Sequence, residues 1–131
     1  MIDIETYVFD AVYPYLSDLV PEGSFTSVYV PAPAAFPHVS LCEMDNYPDK
    51  RTMDSGSMEW SSIIVYEAHV YAFSKTECKA VQTALDNAMI GLMGFTKMSG
   101  QFIPNIDDPA LFQIVSRYER GVDRNHALYK P

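Results

Sequence analysis

An α+β domain is predicted, with a mostly antiparallel sheet, two main helices packed on it and a C-terminal β-hairpin. Three observations carry this. Residues 62–73 read as one long strand, dense in β-branched and aromatic side chains and free of Pro and Gly. At Ser74 the apolar period changes from two to about 3.6, and Cys78, Val81, Leu85, Ala88, Met89 and Leu92 fall on one helical stripe. After that helix the alternating period returns in residues 111–120, and a turn over 121–125 leads to a short last strand, 126–129.

Along the chain, apolar residues at Ile4, Val8, Ala11, Val12, Tyr15 and Leu19 form a first helical stripe. Asp3 and Glu5 suit the positive end of its dipole. Pro14 removes the bond to the Asp10 carbonyl, so a helix over 3–13 is expected, with a kink or a fresh short helix beyond it. Residues 21–24 are a turn and 25–30 a short strand. Three prolines within residues 31–37 favour an extended linker. Residues 38–44 read as a strand. Residues 45–56 are polar, rich in turn formers and without apolar period, which predicts a long loop of the kind that is functional or disordered.

In the long strand, Ile64, Tyr66, Ala68, Val70 and Ala72 make a core-facing row, while Ile63, Val65, Glu67, His69, Tyr71 and Phe73 share the other face, expected to be covered at both ends. Ser74 and Glu77 have capping-box spacing, and Lys75, Lys79, Gln82, Thr83, Asp86 and Asn87 fall largely outside the apolar stripe. Gly94 suits the left-handed turn that stops a helix. Residues 95–103 read as a strand interrupted by Gly100, and 104–109 as a loop. In 111–120, Phe112, Ile114, Ser116 and Tyr118 alternate with Gln113, Val115, Arg117 and Glu119.

The length of 131 residues suits one domain spanning 1–131. The net charge of −8 argues against specific nucleic-acid binding, which normally needs a basic surface. No apolar run reaches membrane-spanning length, and the acidic start, Met-Ile-Asp-Ile-Glu, does not read as a signal peptide. The aromatic share of 13% is high and suits a thick core or large contact surfaces. Cys42 and Cys78 are too few for a disulfide framework, and buried reduced thiols are expected.

Little chemistry stands out. His38, His69 and His126 lack metal-ligand spacing and read more simply as surface or edge-strand residues. Glu67 and His69 share a strand face and could form an acid–base pair, although such a pair is more often a solvated or interfacial ion pair. Residues 91–94, Gly-Leu-Met-Gly, sit at a helix end and not its start, so they make no phosphate loop. Ser55-Gly56-Ser57 is loop composition and no nucleophile elbow. Met89 and Met93 read as core filler. No catalytic, cofactor or metal residue is assigned.

Two runs, VYEAHVYAFSKTECKAVQTALDNAMIGLMGF and IPNIDDPALFQIVSRYERGVDRNHALYKP, carry a family likeness in their order and spacing. The shared features are a strand ending in Tyr-x-Phe-Ser, a helix closing on Gly-Phe, and a terminal Arg-Tyr-x-x-x-Val-Asp hairpin ending in a Tyr-basic pair. The upstream PAPAAFPHVSLCEMD and DSGS stretches fit too. Over most of its length the chain resembles the tail-terminator proteins of long-tailed bacteriophages, a group that includes head–tail joining and minor capsid proteins.

The resemblance implies a structural virion protein of the tail or neck, made in the host cytoplasm and not an enzyme. It would form a homo-oligomeric ring, usually a hexamer, at the head-proximal end of the tail tube. The ring would end tube polymerisation and contact both the tail tube protein and the head–tail connector. DNA would pass through without specific binding, past lumen carboxylates for which Asp107, Asp108, Asp45 and Asp54 are candidates; residues 45–56 would be a contact arm. A head-side connector adaptor is the alternative within the same class. A small enzyme or ligand-binding domain, its cleft lined by Glu67, His69 and Tyr71, is the alternative from another.

Overall fold

In a computed structural model, residues 3–30, 33, 35–48, 61–103, 110–123 and 128–129 are described. The elements are helix α1 (Glu5–Leu16), strands β1 (Phe25–Thr26), β2 (His38–Pro48) and β3 (Ser61–Ala72), helix α2 (Lys75–Asp86) with a π-helical continuation over Asn87–Leu92, then β4 (Thr96–Ile103), β5 (Phe112–Asp123) and β6 (Leu128–Tyr129). They build one sheet of six strands in the order β1-β2-β3-β5-β4, with β6 also on β5. Among the described residues only the β1–β2 pair is parallel and all others are antiparallel; β5–β6 makes the expected C-terminal hairpin, but Gly121, Val122 and Asp123, expected in its turn, belong to β5, where they pair with Ile63, Ser62 and Ser61.

Strand parity decides which face is covered. Ile64, Tyr66, Ala68, Val70 and Ala72 of β3 are fully buried against the helices. Val39 and Leu41 of β2 and Ile114, Tyr118 and Val122 of β5 join them. From above, α1 contributes Val8, Val12 and Leu16, and α2 contributes Cys78, Val81 and Leu85. Phe9 stacks on Phe25 at 4.3 Å, which sets α1 over the β1 side of the sheet.

Several expectations are corrected. The first helix runs through Pro14 to Leu16 without a break. Pro14 lies in the last turn, Ser17 N–H still reaches the Tyr13 carbonyl at 3.0 Å, and burial of Leu16 holds the end down. The strand expected over 25–30 shrinks to two residues, because the Thr26 hydroxyl donates to the Val28 carbonyl at 2.8 Å and turns the chain away. The loop expected from Asp45 begins later, since Asp45, Asn46, Tyr47 and Pro48 pair with Val65, Ile64, Ile63 and Ser62. Long-range pairing here overrides weak local propensity. The rest of that loop, 49–56, lies outside the described residues.

Ser74 caps α2 as its spacing predicts, accepting from the Glu77 amide at 3.4 Å. Leu92, expected on the buried stripe, is 53% exposed. The chain widens into a π-turn, with Met93 N–H reaching the Ala88 carbonyl five residues back. The wider turn rotates Leu92 outward and brings Met93 into the core. Gly94, at φ 71°, ends the helix as expected. Gln82 is also corrected: it is buried, donating to the Tyr118 hydroxyl at 2.9 Å and the Ser116 hydroxyl at 3.3 Å.

Two bulges mark the outer parts of the sheet. One falls between Glu43 and Asp45, the other between Lys97 and Ser99. Each leaves a methionine, Met44 or Met98, standing out of register and more than half exposed. β4 is largely exposed, with Ile103 and Phe102 its better covered residues.

Candidate functional site

The face of the sheet away from the helices collects what polar chemistry the fold has. On β3 it carries Glu67, His69 and Tyr71, two residues apart and therefore on one side. Register adds their neighbours: β5 sets Arg117, Val115 and Gln113 opposite them, and β2 sets Cys42, Ser40 and His38 on the other flank. The chain beyond β1 then folds over this face, putting the Tyr29 ring 5.2 Å from that of His69. The expected cover is present at the Tyr71 end, where Tyr71 is buried, although Phe73 beyond it is exposed and meets Phe36 at 4.7 Å.

Glu67 is the hub. Arg117 Nε donates to one carboxylate oxygen at 2.7 Å, and His69 Nε2 stands 2.8 Å from the other. Burial pushes the Glu67 carboxyl up, but the hydrogen bonds and charges of His69 and Arg117 outweigh it and hold the group below its ordinary value. Gln113 Nε2 lies 3.0 Å from His69 Nδ1 and donates to the Tyr71 hydroxyl at 3.2 Å, which in turn donates to the Tyr29 hydroxyl at 3.5 Å. With Gln113 donating to Nδ1, the His69 proton sits on Nε2 and points at Glu67. Both ring nitrogens are then engaged, so the imidazole offers no free lone pair to take a proton from a substrate.

Beside this cluster lies an open depression of about 640 Å³, bordered by Val28, Tyr29, Met44, Glu67 and His69. Cys42 also borders it, with its thiol pushed up by burial and then by the Glu67 and Glu5 carboxylates. Cys78 is buried under α2 and pushed up to about 11, chiefly by burial. Neither thiol is poised as a nucleophile. Both cysteines are free, as expected, but only Cys78 is fully buried.

The structure thus brings together Glu67, His69 and Tyr71, as the enzyme alternative requires, but tied into a hydrogen-bonded sheet face whose ion pair is Glu67–Arg117. His38, expected at the surface or on an edge strand, is instead buried opposite Tyr71, the rings 6.3 Å apart, with Ser40 Oγ at 3.1 Å, and burial lowers its pKa. His126, Asp54, Asp107, Asp108 and Ser55-Gly56-Ser57 lie outside the described residues. Asp45 is exposed on β2. Met89 and Met93 are core filler, as expected. Among the described residues no group of three His, Cys, Asp or Glu could hold a metal ion, and no helix is long and apolar enough to cross a membrane. Arg117, Gln113 and Tyr29 are the members that sequence reasoning missed. Parity put Gln113 and Arg117 on one face of their strand, but the register against β3 is a long-range fact.

No family model and no curated protein matches the chain. Among solved structures it is similar to a chain in the virion of a native gene transfer agent particle. The TM-score is 0.59 at 19% sequence identity, over 84% of this chain and 90% of that one. The two share a fold across nearly their whole lengths.

Proposed function

We propose that this chain is a structural virion protein, not an enzyme. It forms a ring at the head-proximal end of a phage tail tube, ends tube polymerisation and joins tail to head. The observation that carries this reading is the fold shared with a virion component over 84% of the chain. The sequence resemblance to tail terminators points the same way. The surface is compatible with it: the sheet is helix-covered on one face only, both its outer strands are open among the described residues, and exposed aromatics are frequent. The Glu67–His69–Arg117 cluster then serves to stiffen a contact face.

The test is location. Particles carrying a small tag on this chain are imaged, with labelled antibody, in the electron microscope. Label at the neck, between tail tube and head, is the expected result. Label confined to heads detached from their tails would favour the head-side adaptor, and particles without label would sink the virion reading.

A further inference from the structure

The whole net charge of −8 falls in the first 49 residues. Before Lys50 the sequence holds eight carboxylates and neither Lys nor Arg; from Lys50 onward it holds nine acidic and nine basic residues. Among the described residues, which hold seven of the eight early carboxylates, folding turns part of this division in sequence into a division in space. The acidic segment builds α1, β1 and β2, which form one side of the molecule. β4 lies at the opposite edge of the sheet, beyond β3 and β5.

The two sides also differ in surface chemistry. On α1, Val8, Val12 and Leu16 face the core. The opposite stripe, at helical spacing, is Asp3, Tyr7, Asp10 and Tyr13. Tyr7 is 59% exposed and Tyr13 46%, an unusual display for two aromatics on one helix. At the other edge, Lys75 and Lys79 of α2 stand over the ring of Phe102 on β4, at 5.2 and 5.9 Å from its centre. Phe102 is part exposed beneath them, and Met98 is exposed on the same strand. Of the two acids of α2, Asp86 is already taken by Lys97 at 2.9 Å, and Glu77, two residues from each lysine, falls off their stripe of the helix.

We infer that the acidic, tyrosine-bearing α1 side of one copy docks on the Lys75–Lys79–Phe102 shelf of the next. The inference rests on the ring reading and supplies its contact. Charge complementarity selects a second copy as the occupant: the chain carries both halves, on opposite edges. A contact between unlike edges is head-to-tail, the kind of contact that closes into a ring when the rotation from copy to copy closes and otherwise runs on as a filament. Aromatics at the centre with charges around them match the composition of protein interfaces. The two acidic sides of a pair turned head-to-head would repel each other, so charge also sets the polarity of assembly.

The experiment is a charge swap read by sedimentation velocity. Lys75→Glu with Lys79→Glu in one variant, and Asp3→Lys with Asp10→Lys in another, should each weaken self-assembly on the order of tenfold to a hundredfold. Mixing the two variants should restore it, because each then offers the other an opposite charge, and the quadruple variant should assemble alone. Raising the salt should weaken the wild-type assembly. Circular dichroism melting should be unchanged for the lysine variant, since exposed charges contribute little to folding, and should fall slightly for the aspartate variant, because Asp3 accepts from the Glu5 N–H at 3.0 Å at the start of α1. Wild-type assemblies indifferent to all four substitutions, or variants that stay monomeric on mixing, overturn this contact alone. A wild-type chain that is monomeric at every concentration overturns the ring reading with it.

Discussion

Leu85 has no exposed surface and lies at the centre of the helix–sheet contact. Leu85→Ala should cost about 2–5 kcal/mol, and Leu85→Asp, which buries an unpaired charge, should leave no cooperative unfolding transition. A soluble Asp variant with unchanged melting temperature would refute the packing. The thiols give a second check. Cys42 and Cys78 are both free, so a thiol reagent in denaturant should titrate two groups. Glu67 gives a pH signature. Its folded pKa lies below its ordinary 4.5, so the unfolded chain binds the proton first. The stability of the cluster is therefore complete above about pH 4.5 and is lost as pH falls through the lower folded value. Urea unfolding of Glu67→Gln should show a shallower loss over that range than the wild type; parallel curves would mean the cluster adds nothing. His38, lowered by burial from 6.5, steepens the acid limb at higher pH in both proteins alike, since its neutral form is the one the fold favours.

Elements were legible where local pattern and tertiary demand agree. The row from Ile64 to Ala72, the Ser74 cap and the alternation of β5 were all readable, because burial on one face imposes a period of two or about 3.6 on the sequence itself. Element ends were not. α1 continues past Pro14, and β2 continues into a segment with loop composition, because partners far away in sequence hold them there. The π-turn after Asp86 is another case: a stripe projected at constant period predicts Leu92 inside, and only packing substitutes Met93. Gly94 fixes the end of this turn. Its φ is 71°, and a Cβ there would lie 3.2 Å from Arg120 Cζ. Gly94→Ala should destabilise by about 1–2 kcal/mol in chemical denaturation. An unchanged midpoint would mean that the turn can rearrange.

For the whole molecule, the ring reading makes a demand on charge. Lysines facing a channel would pair with the phosphates of passing DNA, whereas carboxylates form a weakly repulsive wall. Asp107 and Asp108 remain the proposed lumen residues. Replacing both with Lys should leave melting unchanged and lower DNA delivery or infectivity. Normal infectivity from a well-folded, fully assembled double variant would place that loop outside the channel. The same charge argument applies between subunits. A net charge of −8 carried wholly before Lys50 is plain in the sequence, yet it says nothing until the fold puts α1, β1 and β2 along one side.

The sequence by itself determined the α+β class, the buried row of the central strand, the main helix and its cap, and the final hairpin. Each follows from a local period or a short-range hydrogen bond, and such signals are written in consecutive residues. Tertiary structure alone decided that Glu67 meets Arg117, fifty residues away, and that Gln113 and Tyr29 complete its cluster. It also decided that the cation-free first third of the chain and Lys75, Lys79 and Phe102 stand on opposite sides. Strand order and register come from summed long-range packing, to which no single stretch of sequence holds the key.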